Sequence, residues 1–193
     1  RLRDKHLTTD EGLATLSRAF TESSLALARS IGLLDPHGPG SFTHPDRTRT
    51  LYGDGTIIRP MYKPPTAIRT PNPGGPDHIA YPDTRTGELL DAPPGRFDPD
   101  IAEYHGHSGP VLGHSYVTFQ ARGPKPYARV ILGARHVPAP GQEAATAINL
   151  LHDLHPHIRD GAQVVVYDGA FRGTHIDHIM RTFGWLTIAP TPR

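Results

Sequence analysis

The 193-residue chain contains no cysteine, which excludes disulfides and thiolate metal ligands. Lysine is almost as scarce. Lys5, Lys63 and Lys125 are the only three among 20 cationic side chains, and the rest are arginine. No apolar run approaches the roughly 20 residues that a membrane-spanning helix needs, and no signal-peptide pattern opens the chain. An excess of one charge is missing too: the net charge is +1 with histidine neutral, so electrostatics alone do not point to nucleic acid. Apolar residues make up only 36%, which is low for a compact domain. The preference for arginine has two readings, bidentate phosphate contacts or a GC-rich coding sequence. The chain starts at Arg1 and stops at Arg193, just after a strand-like segment. Both ends read as cuts, and the expectation is a fragment of a soluble cytoplasmic protein.

Proline and glycine are plentiful, at 21 and 20 residues, and unevenly spread. The first region, residues 1–48, reads as helical. Thr8 and Glu11 have capping-box spacing. Leu13, Leu16, Phe20, Leu27 and Ile31 fall near one helical face. A strand follows from about Thr50 to Ile58, with Gly53 and Gly55 inside it. Interior glycines suggest a bulge or a close backbone approach. Residues 61–113 hold nearly half of the prolines and keep no period of 2 or 3.6, so they read as an inserted loop or partly disordered excursion.

Regular patterns resume after Gly113. Ser115–Ala121 and Tyr127–His136 read as a hairpin joined by Gly123-Pro124-Lys125-Pro126. Ala144, Ala147, Ile148, Leu151 and Leu154 give one helical face over about 141–155. Gln163 to Tyr167 is a β-branched run of the kind buried on both faces. A second helix, capped by Thr174, turns Ile176, Ile179, Met180 and Phe183 inward and ends at Gly184. Trp185 to Ile188 is the last strand. Antiparallel strands come first and helix-connected ones after, which predicts an α/β fold, a mixed sheet with helices packed on it. The core is then 49–193, with a Pro/Gly-rich insertion after its first strand.

Two aspartates stand where such a sheet would bring them together. Asp54 lies inside the first strand, and Asp168 ends the buried one. If those strands are neighbours, both carboxylates project from one face at one end of the sheet. Hard divalent cations take oxygen ligands, and Mg²⁺ is often held by one or two carboxylates plus substrate phosphate. Two such ions about 4 Å apart suit phosphodiester cleavage, and glycines beside the acids would let a DNA backbone approach. The plainer reading of Asp168-Gly169 is a turn. Asp54 resists that reading, because strand-like residues continue past it and aspartate is disfavoured within strands.

The segments Tyr-Gly-Asp-Gly-Thr-Ile-Ile-Arg and Val-Val-Val-Tyr-Asp-Gly-Ala-Phe-Arg-Gly, with hairpin and helix between them, resemble the first two acidic motifs of insertion-sequence transposases with a DDE triad, close to the IS4-like group. The resemblance covers about residues 50–60 and 114–190. It implies a ribonuclease-H-like fold, two Mg²⁺ or Mn²⁺ ions held by Asp54 and Asp168, and DNA cleavage and strand transfer without a covalent protein–DNA intermediate. DNA is then the partner, as transposon ends and target, and the setting is the bacterial nucleoid; a homodimer is an open alternative to a monomer. The family requires a third acid, usually a glutamate on a later helix, which would fall beyond Arg193. Glu143 and Asp177 are the nearest substitutes, both on helices whose polar faces read as solvated. A fragment without the third acid should not be a competent catalyst. The alternative is an inactive remnant that binds DNA or another partner.

Arg59, Lys63 and Arg69 follow the first strand and Arg172 follows the second acid; they suit phosphate contacts or plain solvation equally. The histidines concentrate at His105-Gly106-His107 and at His152, His155 and His157. A zinc hydrolase would need three or four converging ligands, and neither cluster has a carboxylate at ligand spacing. No Walker or dinucleotide-type glycine loop is present.

Overall fold

The computed structural model describes residues 10–60, 67–72, 74, 78–83, 85–92, 101–106, 109–168 and 170–190. In chain order the elements are α1 (Asp10–Ser30), β1 (Thr50–Ile58), β2 (Ile68–Thr70), β3 (His78–Pro82), β4 (Leu89–Leu90), β5 (Ala102–Gly106), β6 (Gly109–Arg122) and β7 (Arg129–His136). Then come α2 (Glu143–Ile158), β8 (Val164–Val166), α3 (Gly173–Phe183) and β9 (Leu186–Ile188). The chain divides into two units: one holds residues up to Thr56 and from Ser115 onward, the other Ile57–His114.

The larger unit is α/β. Its sheet runs in the order β7, β6, β1, β8, β9. β6 and β7 are antiparallel, whereas β1 with β8 and β8 with β9 are parallel. The mixed sheet expected from the order of patterns is therefore present, with helices flanking it. Alternation explains the hairpin: Ser115, Val117, Phe119 and Ala121 are buried while their neighbours are half-exposed, the period of two that one packed face demands. α2 buries Ala147, Leu150, Leu151, Leu154 and Ile158. Each large aliphatic side chain so buried contributes about 1.5–3 kcal/mol of transfer free energy. Val164 and Val165 are buried and Val166 is half-exposed, as expected of a central parallel strand that helices cover over most of its length. Among the described residues no helix is long and apolar enough to cross a membrane.

Two helices depart from the sequence reading. α1 packs through Thr21, Ser24, Leu25 and Ala28, and leaves Leu13, Leu16, Phe20, Leu27 and Ile31 exposed. Thr21 follows Phe20 by one residue, so it sits roughly 100° further round the helix. Its hydroxyl donates to the Leu132 carbonyl of β7 at 3.2 Å, and small side chains on that arc let the helix approach the strand. Thr8, expected to cap this helix, lies outside the described residues. α3 begins at Gly173, so its cap position is Arg172 rather than Thr174. Of its four expected inward residues, Ile179 and Phe183 are buried, Ile176 is half-buried and Met180 is exposed. Gly184 ends the helix as expected, in the left-handed region at φ 71°.

The smaller unit is not the plain loop that its composition suggests. β2, β3 and β4 form a three-stranded antiparallel sheet, with Ile68 opposite Ala80 and Tyr81 opposite Leu90. β5 pairs with the first residues of β6, from Ala102 opposite Gly113 to Gly106 opposite Gly109. Strands of two to five residues are too short to print a period on the sequence, and the turn residues between them dominate the composition.

Candidate active site beside two parallel strands

The parallel pairing of β1 with β8 sets the site. Thr50 faces Val164, Leu51 faces Val165 and Tyr52 faces Val166, a constant offset of 114 (164 − 50). Asp54 and Asp168 are also 114 apart (168 − 54). Extended two residues beyond the last pair, that register would bring Asp54 opposite Asp168. Past Val166 the Tyr167 N–H donates to the Ile188 carbonyl of β9 at 3.0 Å, which carries the β8–β9 pairing one residue further. Side chains alternate along a strand, so Tyr52 and Asp54 share one face of β1, and register neighbours in parallel strands lie roughly 5 Å apart. Both carboxylates are exposed. The turn reading of Asp168 also holds, because its Oδ1 accepts the Ala170 N–H at 3.1 Å.

The opposite face of β1 is filled. A Cβ at Gly53 would collide with the rings of Tyr167 and Phe119. A Cβ at Gly55 would lie 2.5 Å from Glu143 Oε1. The two glycines flanking Asp54 are thus seats for protein side chains packed behind the strand; the sequence reading had assigned the room to a DNA backbone. Leu51, on the same face, is fully buried.

Glu143 opens α2 and reaches over Gly55. The buried Tyr167 hydroxyl donates to Glu143 Oε1 at 2.9 Å. Burial holds the Glu143 carboxyl above the usual value for glutamate; the Tyr167 hydrogen bond works against that rise, and the charges of Asp168 and Asp54 add to it. Burial foremost, and then Glu143, push the Tyr167 hydroxyl far up, so that it stays a proton donor. Three carboxylates therefore feel one another here, two on the open face and one behind it. Even so, among the described residues no group of three or more His, Asp or Glu side chains is gathered closely enough to hold a metal ion.

The remaining candidates fall elsewhere. Asp177 forms an ion pair with Arg181 at 2.7 Å, one turn along α3, and is occupied there. Arg172 is exposed at the start of α3. Arg59 and Arg69 are exposed in the smaller unit, and Lys63 lies outside the described residues. His107 and the side chain of His105 are likewise outside them. His152 is drawn to His178 of α3, Nε2 to Nε2 at 3.1 Å, while His155 packs on Phe183 and Trp185. His152, His155 and His157 do not gather into a metal-holding group among the described residues, in keeping with their reading as ordinary helix-end histidines.

The sequence singles out the two aspartates; it does not point to the Tyr167–Glu143 hydrogen bond behind β1, and it reads Glu143 as solvated where the structure half-buries it. The signal was available in part: a tyrosine ends the apolar run immediately before Asp168. No protein-family model, curated protein or solved structure matches the chain.

Proposed function

We propose that this chain is part of the catalytic core of a DDE-type transposase with a ribonuclease-H-like fold, and that Asp54 and Asp168 are its first two catalytic acids. The single observation that carries the reading is the shared offset of 114: the strand register and the acid spacing coincide. A mixed sheet in which a hairpin precedes helix-connected parallel strands supports the fold half of it.

The donor set fits a hard cation. Two exposed carboxylates, Asp54 within β1 and Asp168 just past β8, offer oxygens only, the ligand type of Mg²⁺ and Mn²⁺. Bound ions would lower the cost of the charge that develops as water or a DNA 3′-hydroxyl attacks phosphorus. The protein's part is placement. Tyr167 and Phe119 wedge behind Gly53 and fix the strand, which holds Asp54 in register with Asp168. Glu143, held from behind by Tyr167, adds negative charge near both.

The test is metal-dependent cleavage or strand transfer by the full-length protein. Asp54→Ala and Asp168→Ala should each abolish the reaction while the thermal unfolding midpoint stays within a few degrees of wild type. Normal turnover by either variant would sink the assignment. The second reading is a transposase remnant that binds nucleic acid without cutting it. That reading predicts DNA binding with no cleavage at any Mg²⁺ or Mn²⁺ concentration, even in the full-length protein.

A further inference from the structure

We infer that the turn between β6 and β7 is a grip for nucleic-acid phosphates, built from Arg47, Arg122, Lys125 and Arg129, with Tyr127 as a stacking platform. The turn runs from Gly123 to Ala128 and is braced by its own backbone. The Gly123 N–H donates to the Ala128 carbonyl at 2.7 Å, and the Ala128 N–H to the Lys125 carbonyl at 3.0 Å. Beside it lies a small open cleft of about 110 Å³, lined by these four cations together with Gly123, Pro124, Pro126 and Ala128. No acidic residue lines it.

In a chain of net charge +1, four cations around one cleft are a local excess. None of the four pairs with a carboxylate among the described residues. Mutual repulsion of this kind costs stability unless an anion arrives. Arg122 is also held in place: its guanidinium lies 5.0 Å over the Tyr52 ring, and its buried Nε has no hydrogen-bond partner. Arginine is suited to phosphate, which its planar fork can meet with two parallel N–H bonds.

Tyr127 points to a polynucleotide over a free anion. Its ring is 78% exposed and lies 5.8 Å from the Lys125 ammonium. An exposed aromatic side chain among cations is the combination that binds single strands, with phosphates in the charged groove and bases on the ring. Tyr52, beneath Arg122, projects from the same face of β1 as Asp54 two residues on, roughly 7 Å along the strand. A strand held by the cleft can therefore continue along the face that carries the acids.

The inference shares its substrate class with the proposed function but rests on different residues, and it is tested by binding in EDTA, where no cleavage occurs. Fluorescence anisotropy with a labelled single-stranded oligonucleotide and its duplex, over a series of salt concentrations, reads affinity and salt slope together. Lys125→Glu with Arg129→Glu should weaken binding at least about tenfold and reduce the log–log salt slope by roughly two phosphate contacts. Tyr127→Ala should weaken the single strand by about fivefold or more, and the duplex less. Arg47→Gln, outside the turn, repeats the test should the double variant fail to fold. Asp54→Asn with Asp168→Asn should bind in EDTA at least as tightly as wild type, since two negative charges leave the strand's path, and should lose cleavage in a separate Mg²⁺ assay; normal cleavage there overturns the proposed function and leaves the grip standing. Unchanged affinity and slope in the folded turn variants and in Arg47→Gln overturn the proposal. So does saturable binding of inorganic phosphate, read by calorimetry, in a chain with no affinity for either oligonucleotide.

Discussion

β1 has two faces, and they are used in opposite ways. On one, Leu51 is buried and Gly53 and Gly55 are pressed by Tyr167, Phe119 and Glu143. On the other, Tyr52 is half-exposed and Asp54 is open to solvent. A strand of nine residues thus packs against the protein at Leu51, Gly53 and Gly55 and turns Tyr52, Asp54 and Thr56 toward solvent. Packing on the first face is what makes the second precise, because a register slip of one residue would exchange them.

That contrast can be broken most severely on the open face. Asp54→Ala or Asp168→Ala should reduce strand cleavage by several orders of magnitude, since removal of groups that act as a unit costs on the scale of the whole mechanism, with little change in stability. Circular dichroism melts beside the cleavage assay separate the two. On the packed face the effects should reverse. Gly53→Ala puts a methyl into the Tyr167 and Phe119 rings. It should cost about 3 kcal/mol, the upper range for overpacking, and lower Tm on the order of 10 °C; an unchanged Tm would show that the face is slack.

Tyr167→Phe should be milder. It removes one hydrogen bond to a half-buried carboxylate, worth about 1–2 kcal/mol, measurable by urea unfolding. The smallest effect is a change of shape with pH. Glu143 has a folded-state value raised above that of a free glutamate, chiefly by burial. The folded chain therefore holds that proton more tightly than the unfolded one. Its contribution to stability is full below the ordinary glutamate value and is lost as pH rises through the raised one. Glu143→Gln should flatten this part of the stability profile, measured as urea midpoints from about pH 4, near the ordinary glutamate value, upward. A steeper decline in the variant would contradict the stated environment.

The parts legible in the sequence share a cause. The run Val164–Val166, the alternation of Ser115 to Ala121 and the stripe on α2 each repeat one period long enough to stand out. Asp54 stood out because an aspartate interrupts a strand pattern. The illegible parts lack such repetition. α1 packs by its small and polar arc, so its apolar period named the wrong face. The strands between Ile68 and Gly106 are too short to carry a period. The Tyr167–Glu143 bond joins residues 24 apart on different elements, and only the sheet register puts α2 over Gly55. The glycines beside Asp54 were read as access for a ligand, whereas they are filled from behind.

The most direct test of the pairing of Asp54 with Asp168 is a crystal structure of the protein soaked in Mn²⁺, with the ion located by its anomalous signal. The account predicts carboxylates within about 4–6 Å of each other sharing an ion on the open face of β1. Carboxylates turned apart, or Mn²⁺ bound elsewhere with none between them, would contradict it.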